Sequence, residues 1–309
     1  MSPKKIAAIS LIIASIFWAS AGAVSKILLV SFDPLSLALL RLTIASTLLL
    51  PLFLSQKRPP IKTLLSDCIP IGLVGTGNFL FFLLGVSRTT ANASSIIYTA
   101  TPILTLIVAH FAIKEHVTRA KIAGIILGLL GVVVILILPI VRRGTTINGD
   151  LIGNLFMIAA VLSWTVYIVG SRRLIATKHY NPLTITSVSM FTSFLIFLIA
   201  TIVYPHRPIL PRVFEGNNWI LLLYFGACVT VVTYTLHQWA IKHSSATTAS
   251  MTNYLQPVFA LTFNAFLIGE KLTIEFLFGS FLVLAGTFLA TSGQINTYIR
   301  RVMQKSVGE

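Results

Sequence analysis

The sequence predicts an all-α integral membrane protein of ten transmembrane helices, arranged as two inverted five-helix repeats. Three observations carry that expectation. Apolar residues fill 56% of the 309 positions and charged residues only 10%, with a mean hydropathy of +0.90, more than a soluble core and its solvated surface require. The apolar runs are about 20 residues long, enough for a helix rising 1.5 Å per residue to cross roughly 30 Å of hydrocarbon, and they lack the alternation of barrel strands. The chain also matches itself after a shift of 155 residues.

The spans fall near 6–30, 34–55, 66–86, 91–113, 119–141, 148–172, 182–204, 217–240, 246–268 and 273–296. The first follows Lys4 and Lys5 as a signal peptide would, but it is long and has no convincing small-x-small cleavage site, so it reads as a retained helix. The second carries Arg41 about seven residues inside its start. Cys68 in the third span and Cys228 in the eighth have no CxxC or His-rich neighbours and read as small buried residues, not as a disulfide or metal framework. The fourth and ninth spans hold Pro102 and Pro257 near their centres, each removing the amide donor for the carbonyl four residues back, and are expected to kink there. The fifth has glycines at 124, 128 and 131 and the tenth at 279 and 286, which permit close backbone approach; packing within each half is the expectation and dimerisation the alternative.

The net charge of +15 does not indicate nucleic acid, because the basic residues are dispersed among short loops. With the N-terminus in the cytoplasm, 15 Lys and Arg lie on that side and 7 on the other, with Arg41 inside a span. Both termini are therefore expected in the cytoplasm.

At the shift of 155, Tyr98 meets Asn253, Thr101 meets Gln256, Pro102 meets Pro257, Glu115 meets Glu270, Gly124 meets Gly279 and Gly131 meets Gly286. A shift of 146 places Trp18 on Trp164, Ser25 on Ser171 and Lys26 on Arg172. The expected units are residues 1–143, residues 144–299 and a basic cytoplasmic tail at 300–309. Five helices per half is an odd number, so the second half enters the membrane from the opposite side. Inverted repeats suit alternating access, with the substrate site at mid-membrane between the halves.

With these residues in place the chain resembles the EamA-domain branch of the drug/metabolite transporter superfamily. The resemblance rests on Trp18 with Lys26, Pro34 with Arg41, Pro102 with Glu115, and Gly124 and Gly131, then on Trp164 with Arg172, and Pro257 with Glu270, Gly279 and Gly286. It departs at Ser189, the counterpart of Arg41, which confines any role of that arginine to one half. What the resemblance implies is a ten-helix carrier with a central cavity, often an exporter of amino acids or other metabolites.

The residues suited to a substrate site are polar or aromatic groups deep in apolar spans, since facing them to lipid costs energy. They are Trp18, Asn78, Tyr98, Thr101, Trp164, Tyr167, Tyr234, His237, Asn253 and Gln256. Ser94, Tyr98, Thr101 and Thr105 follow one face of the fourth span; Asn253, Gln256 and Asn264 follow a comparable face of the ninth, with hydrogen bonding between helices as the alternative. Trp18 and Trp164 are placed to stack on a substrate or to pack. His237 is suited to proton coupling or to a neutral structural hydrogen bond, and His110 reads as structural.

All eight carboxylates fall at span ends or in loops, which disfavours proton-coupled export of hydrophobic cations. Neutral, zwitterionic or amphipathic metabolites fit better, aromatic amino acids among them. Arg41 is shallow enough to snorkel or to pair with a loop carboxylate as a gating or structural charge, with an anionic substrate as its alternative partner. Glu115 and Glu270, closing the fourth and ninth spans on opposite faces, read as gate or boundary charges.

No Walker loop, HExxH, dinucleotide GxGxxG or GxSxG turn occurs, so no cofactor or metal is expected and a gradient must supply the energy. The expectation is a secondary exporter of small metabolites, monomer or homodimer, in a bacterial or archaeal cell membrane. A membrane-embedded scaffold or enzyme is the alternative.

Overall fold

The computed structural model describes residues 3–57, 59–89, 94, 97–134, 138, 141, 150–204, 209–268, 274 and 277–290. All regular structure among these residues is helical. Six helices are long and apolar enough to cross a membrane: Lys5–Ser31, Pro34–Leu54, Ile61–Arg88, Leu151–Lys178, Pro182–Val203 and Asn218–His243, with mean hydropathies of 1.9 to 2.1. Thr101–Ile113 and Leu277–Ala290 are shorter apolar helices. Val30, Phe111 and Phe288 are exposed along their helices while Leu28, Leu37, Leu42 and Leu49 are buried, the distribution of a chain whose solvent is hydrocarbon.

The third and sixth spans run longer than their apolar stretches suggest, to Ile61–Arg88 and Leu151–Lys178. Polar contacts hold this end of both helices: Lys178 Nζ donates to Asp67 Oδ1 at 2.5 Å, Tyr180 Oη donates to Asp67 Oδ2 at 2.9 Å, and Arg172 Nη1 donates to Ile241 O at 2.9 Å. Hydropathy alone does not register such extensions. Two helix starts share a cap: the Asp33 side chain accepts from Leu35 N and Ser36 N, and that of Asn181 accepts from Leu183 N, each ahead of a proline whose missing donor costs nothing there.

Three helices break where the sequence predicts continuous or merely kinked ones. The first divides into Pro3–Ala19 and Ala21–Ser31 at Ser20, whose Oγ donates to Phe17 O at 2.8 Å. The fourth turns at Thr99–Ala100, so Pro102 lies in the first turn of Thr101–Ile113 and not mid-helix. Proline is tolerated in a first turn because its amide would be unpaired there anyway, so the break moves to its N-terminal side. The ninth divides at Met251 into Ala246–Ser250 and Thr252–Ile268, with Pro257 inside the second piece.

The glycine pattern joins the halves instead of packing within each. A Cβ on Gly124 would lie 2.5 Å from Gly286 O, and one on Gly131 would lie 2.6 Å from Gly279 O. Helices Arg119–Val132 and Leu277–Ala290 therefore meet backbone to backbone.

Candidate functional site

The broken first helix sets the geometry. Around Ser20 its wall toward the interior is Ala19, Ser20, Ala21, Gly22 and Ala23, and a Cβ on Gly22 would meet open space. The space is a cavity of about 490 Å³, within the range that holds a small organic ligand. Trp18, Asn78, Tyr98, Trp164, Asn253 and Gln256 line it, together with Arg41 and Pro257. Phe79, Phe82 and Tyr224 complete much of the apolar wall, and Lys26 stands at the end beside Val86 and Ser94, its Nζ donating to Thr89 O at 3.1 Å.

Trp18 and Trp164 meet edge to face with centroids 5.4 Å apart. They come from repeat-related positions and touch each other, forming a floor. His237, Tyr234, Tyr167 and Thr101, the other residues proposed from the sequence, are not among the residues that line it. His237 is fully buried, 5.1 Å from both tryptophan rings, with Nε2 3.2 Å from Ala249 O. Tyr234 packs against Trp18 at 5.7 Å and Trp164 at 5.4 Å, and Tyr167 stacks on Trp164 at 5.4 Å and 14°. Thr101 and Thr105 are fully buried. An inward-facing polar or aromatic residue in an apolar span ends either in a cavity or in packing, and helix periodicity treats the two alike.

The amides of the cavity wall form two separate hydrogen-bonded groups. Asn78 Nδ2 donates to Tyr98 Oη at 3.0 Å and to Ala160 O at 2.9 Å, and Gln256 Nε2 donates to Asn253 Oδ1 at 3.4 Å. Ser20 Oγ and Tyr224 Oη lie 2.8 Å apart.

Arg41 departs furthest from expectation. It neither snorkels nor pairs with a carboxylate: it is 4% exposed, and among the described residues no acid lies within ion-pair distance. Its Nε donates to Thr230 Oγ1 at 2.5 Å, and its guanidinium carbon lies 4.8 Å from the Phe79 ring centre and 4.2 Å from that of Phe225. Thr230 is presented by a π-helical stretch, Ala227–Val232, for which the sequence carries no glycine or proline signal of its own.

Glu115 lies at the other end of the bundle. Its carboxylate accepts from Lys121 Nζ at 3.0 Å, from Ala246 N at 3.0 Å and from Thr247 N at 3.4 Å, so it ties the loop after Thr101–Ile113 to the start of Ala246–Ser250 in the other half. Burial raises its pKa, but Lys121 and the hydrogen bonds it accepts prevail and hold it below the usual carboxylate range. Glu270 lies outside the described residues.

The fold and site define a class: a helical membrane protein built around a central cavity with an aromatic floor. The EamA-like transporter family matches residues 5–137 and 151–292, and the chain belongs to that family. Its relatives include proteins named as uncharacterized transporters, one from Clostridium kluyveri, 27% identical over 84% of both chains, and YdfC of Bacillus subtilis, 29% identical over 94% of this chain and 93% of that one. A WAT1-related chloroplastic protein of Arabidopsis thaliana is 26% identical over 88% of this chain and 66% of its own length. A protein of known crystal structure shares the fold with a TM-score of 0.73 at 19% identity, covering 92% of this chain and 96% of that one. This chain is thus a membrane transporter, and its family and relatives point away from an enzyme.

Proposed function

We propose that the chain is a secondary carrier that works by alternating access and exports small neutral, zwitterionic or amphipathic metabolites such as amino acids. The observation that carries this reading is the cavity between the halves, floored by the repeat-related Trp18 and Trp164 and lined by amides, hydroxyls and rings. Two further features support it. The glycine crossings have the pattern of a two-fold axis: Gly124 meets Gly286 and Gly131 meets Gly279, while the repeat equates Gly124 with Gly279 and Gly131 with Gly286. The basic residue eight positions after each tryptophan also makes the same kind of bond, Lys26 to Thr89 O and Arg172 to Ile241 O.

With both termini in the cytoplasm of a bacterial or archaeal cell, the Glu115 end is the cytoplasmic one and the cavity lies toward the outside. Glu115 then acts as the inner lock, and its repeat partner Glu270 as the corresponding outer one. In this reading Trp18 and Trp164 separate the two access paths, Asn78, Tyr98, Asn253 and Gln256 contact substrate, and Tyr167, Tyr234 and His237 support the floor from behind. The carrier is a monomer or a homodimer.

The test is counterflow in proteoliposomes with a labelled pool of amino acids and related metabolites, comparing the parent with Trp164→Ala and Gln256→Ala. Flux of one compound class that falls in both variants, with folding retained, is the expected result. Undiminished flux in both variants would remove the cavity from the mechanism, and absence of counterflow across the pool in the parent would count against a carrier.

A further inference from the structure

We infer that the substrate carries a carboxylate and that Arg41 is the residue that receives it. The inference rests on the carrier reading for where substrate binds, and deepens it by naming the chemistry that the cavity selects.

A buried guanidinium needs a counter-charge or a full set of acceptors, because taking it out of water is costly. Arg41 has neither. Of its five N–H donors, the one with a partner among the described residues is Nε, bonded to Thr230 Oγ1. The acids that the structure describes are committed elsewhere: Asp33 caps its own helix, Asp67 pairs with Lys178, Glu115 with Lys121 and Asp150 with Arg88, while Glu215 lies in the turn before Asn218. Arg41 nevertheless lines the cavity. None of the described acids thus reaches its planar fork, and a carboxylate is the group that this fork binds through two parallel hydrogen bonds.

The surroundings hold the fork in one orientation. Thr230 Oγ1 donates to Phe225 O at 2.8 Å, five residues back in the π-helical stretch, which leaves its lone pair to accept from Arg41 Nε. Phe79 and Phe225 provide the ring contacts. A Cβ on Gly226 would lie 2.6 Å from Ile44 and 3.2 Å from Arg41 O, so the two helices are locked together beside the arginine. π-helical insertions of this kind recur at functional sites because they re-aim a side chain without ending the helix. Among the described residues the charged ones lining the cavity are Arg41 and Lys26, both cations, and the rest are rings, aliphatic groups, amides and hydroxyls. That combination selects an organic acid with an apolar body over inorganic phosphate or chloride.

Thermal stabilisation of the purified full-length protein tests this, using matched sets on one scaffold: tryptophan, indole-3-propionate, its amide and tryptamine, with a branched aliphatic acid and its amide alongside. Inorganic phosphate and chloride are the controls. The expected result is stabilisation by at least one acid well beyond its matched amide or amine, weakened roughly tenfold or more in apparent affinity by Arg41→Gln and less by Arg41→Lys, the loss typical of one charge-assisted pair. If Arg41→Gln fails to fold, Arg41→Lys carries the test, because a point charge lacks the planar fork.

Equal stabilisation by acid and amide, no stabilisation by any acid of the panel, or a response to phosphate or chloride alone would overturn the inference. Its failure is separable from that of the carrier reading. Counterflow of an amide or amine with no preference for acids sinks the carboxylate and leaves the carrier, whereas acid-specific stabilisation without counterflow does the reverse.

Discussion

Thr101 and Gln256 occupy the same position in the two halves and have opposite surroundings. Gln256 lines the cavity; Thr101 is fully buried and is not among the residues that line it. The helices that carry them break in different places, at Thr99–Ala100 beside Pro102 and at Met251 ahead of Pro257. In the proposed carrier the repeat supplies equivalent positions to both access paths, and the arrangement of the helices decides which one faces the cavity. In the proposed carrier the other arrangement would exchange them.

The largest effect expected from breaking this relation comes from the glycine crossings. Gly124→Val and Gly131→Val each drive a side chain into the backbone of Leu277–Ala290, and should cost about 3 kcal/mol or more, by analogy with overpacked cores. Loss of monodisperse protein on size exclusion would be the readout; two well-folded variants would mean that the halves do not meet there.

Glu115→Ala comes next. It leaves Lys121, whose side chain is 5% exposed, without its partner, a loss of about 3–5 kcal/mol for a buried pair. The double variant Glu115→Ala with Lys121→Met should recover most of the melting temperature. No recovery would place the value of Glu115 in its bonds to Ala246 and Thr247 rather than in the ion pair.

The same group sets a pH dependence. The folded carboxyl of Glu115 titrates below its unfolded value, so its stabilising contribution is complete above the unfolded carboxylate range, about pH 4.5, and is lost as pH falls through the folded pKa. Melting temperature should fall more steeply with acid in the parent than in Glu115→Gln. Parallel curves would contradict the depressed pKa.

Gly22→Leu should change stability least, within about 0.5 kcal/mol as for other substitutions into open space, while abolishing flux by filling the cavity. Retained counterflow would mean that substrate passes elsewhere.

Much of this arrangement was legible in the sequence, for a physical reason. Trp18, Asn78, Tyr98, Trp164, Asn253 and Gln256 are costly to expose to lipid, so their position within apolar spans already turned them inward. That reasoning has no means of separating a cavity wall from the packing behind it, and so it grouped His237, Tyr234, Tyr167 and Thr101 with them. The break at Ser20 and the π-helical stretch Ala227–Val232 contain no proline, and each depends on contacts made far along the chain, Ser20 with Tyr224 and Thr230 with Arg41. Arg41 was visible as an intramembrane charge. That none of the described acids pairs with it is a property of how the helices assemble.

Site-directed labelling at the repeat pair tests the alternating-access claim most directly. In a Cys68→Ala, Cys228→Ala background, Gln256→Cys and Thr101→Cys are probed with a membrane-impermeant maleimide applied from either side of the membrane, with and without Glu115→Gln. The account predicts that Gln256→Cys reacts from the Lys26 end while Thr101→Cys is protected. Breaking the lock should then expose Thr101→Cys from the Glu115 end as reactivity at Gln256→Cys falls. Reaction of both positions from one side, or a Gln256→Cys reactivity indifferent to the lock, would contradict it.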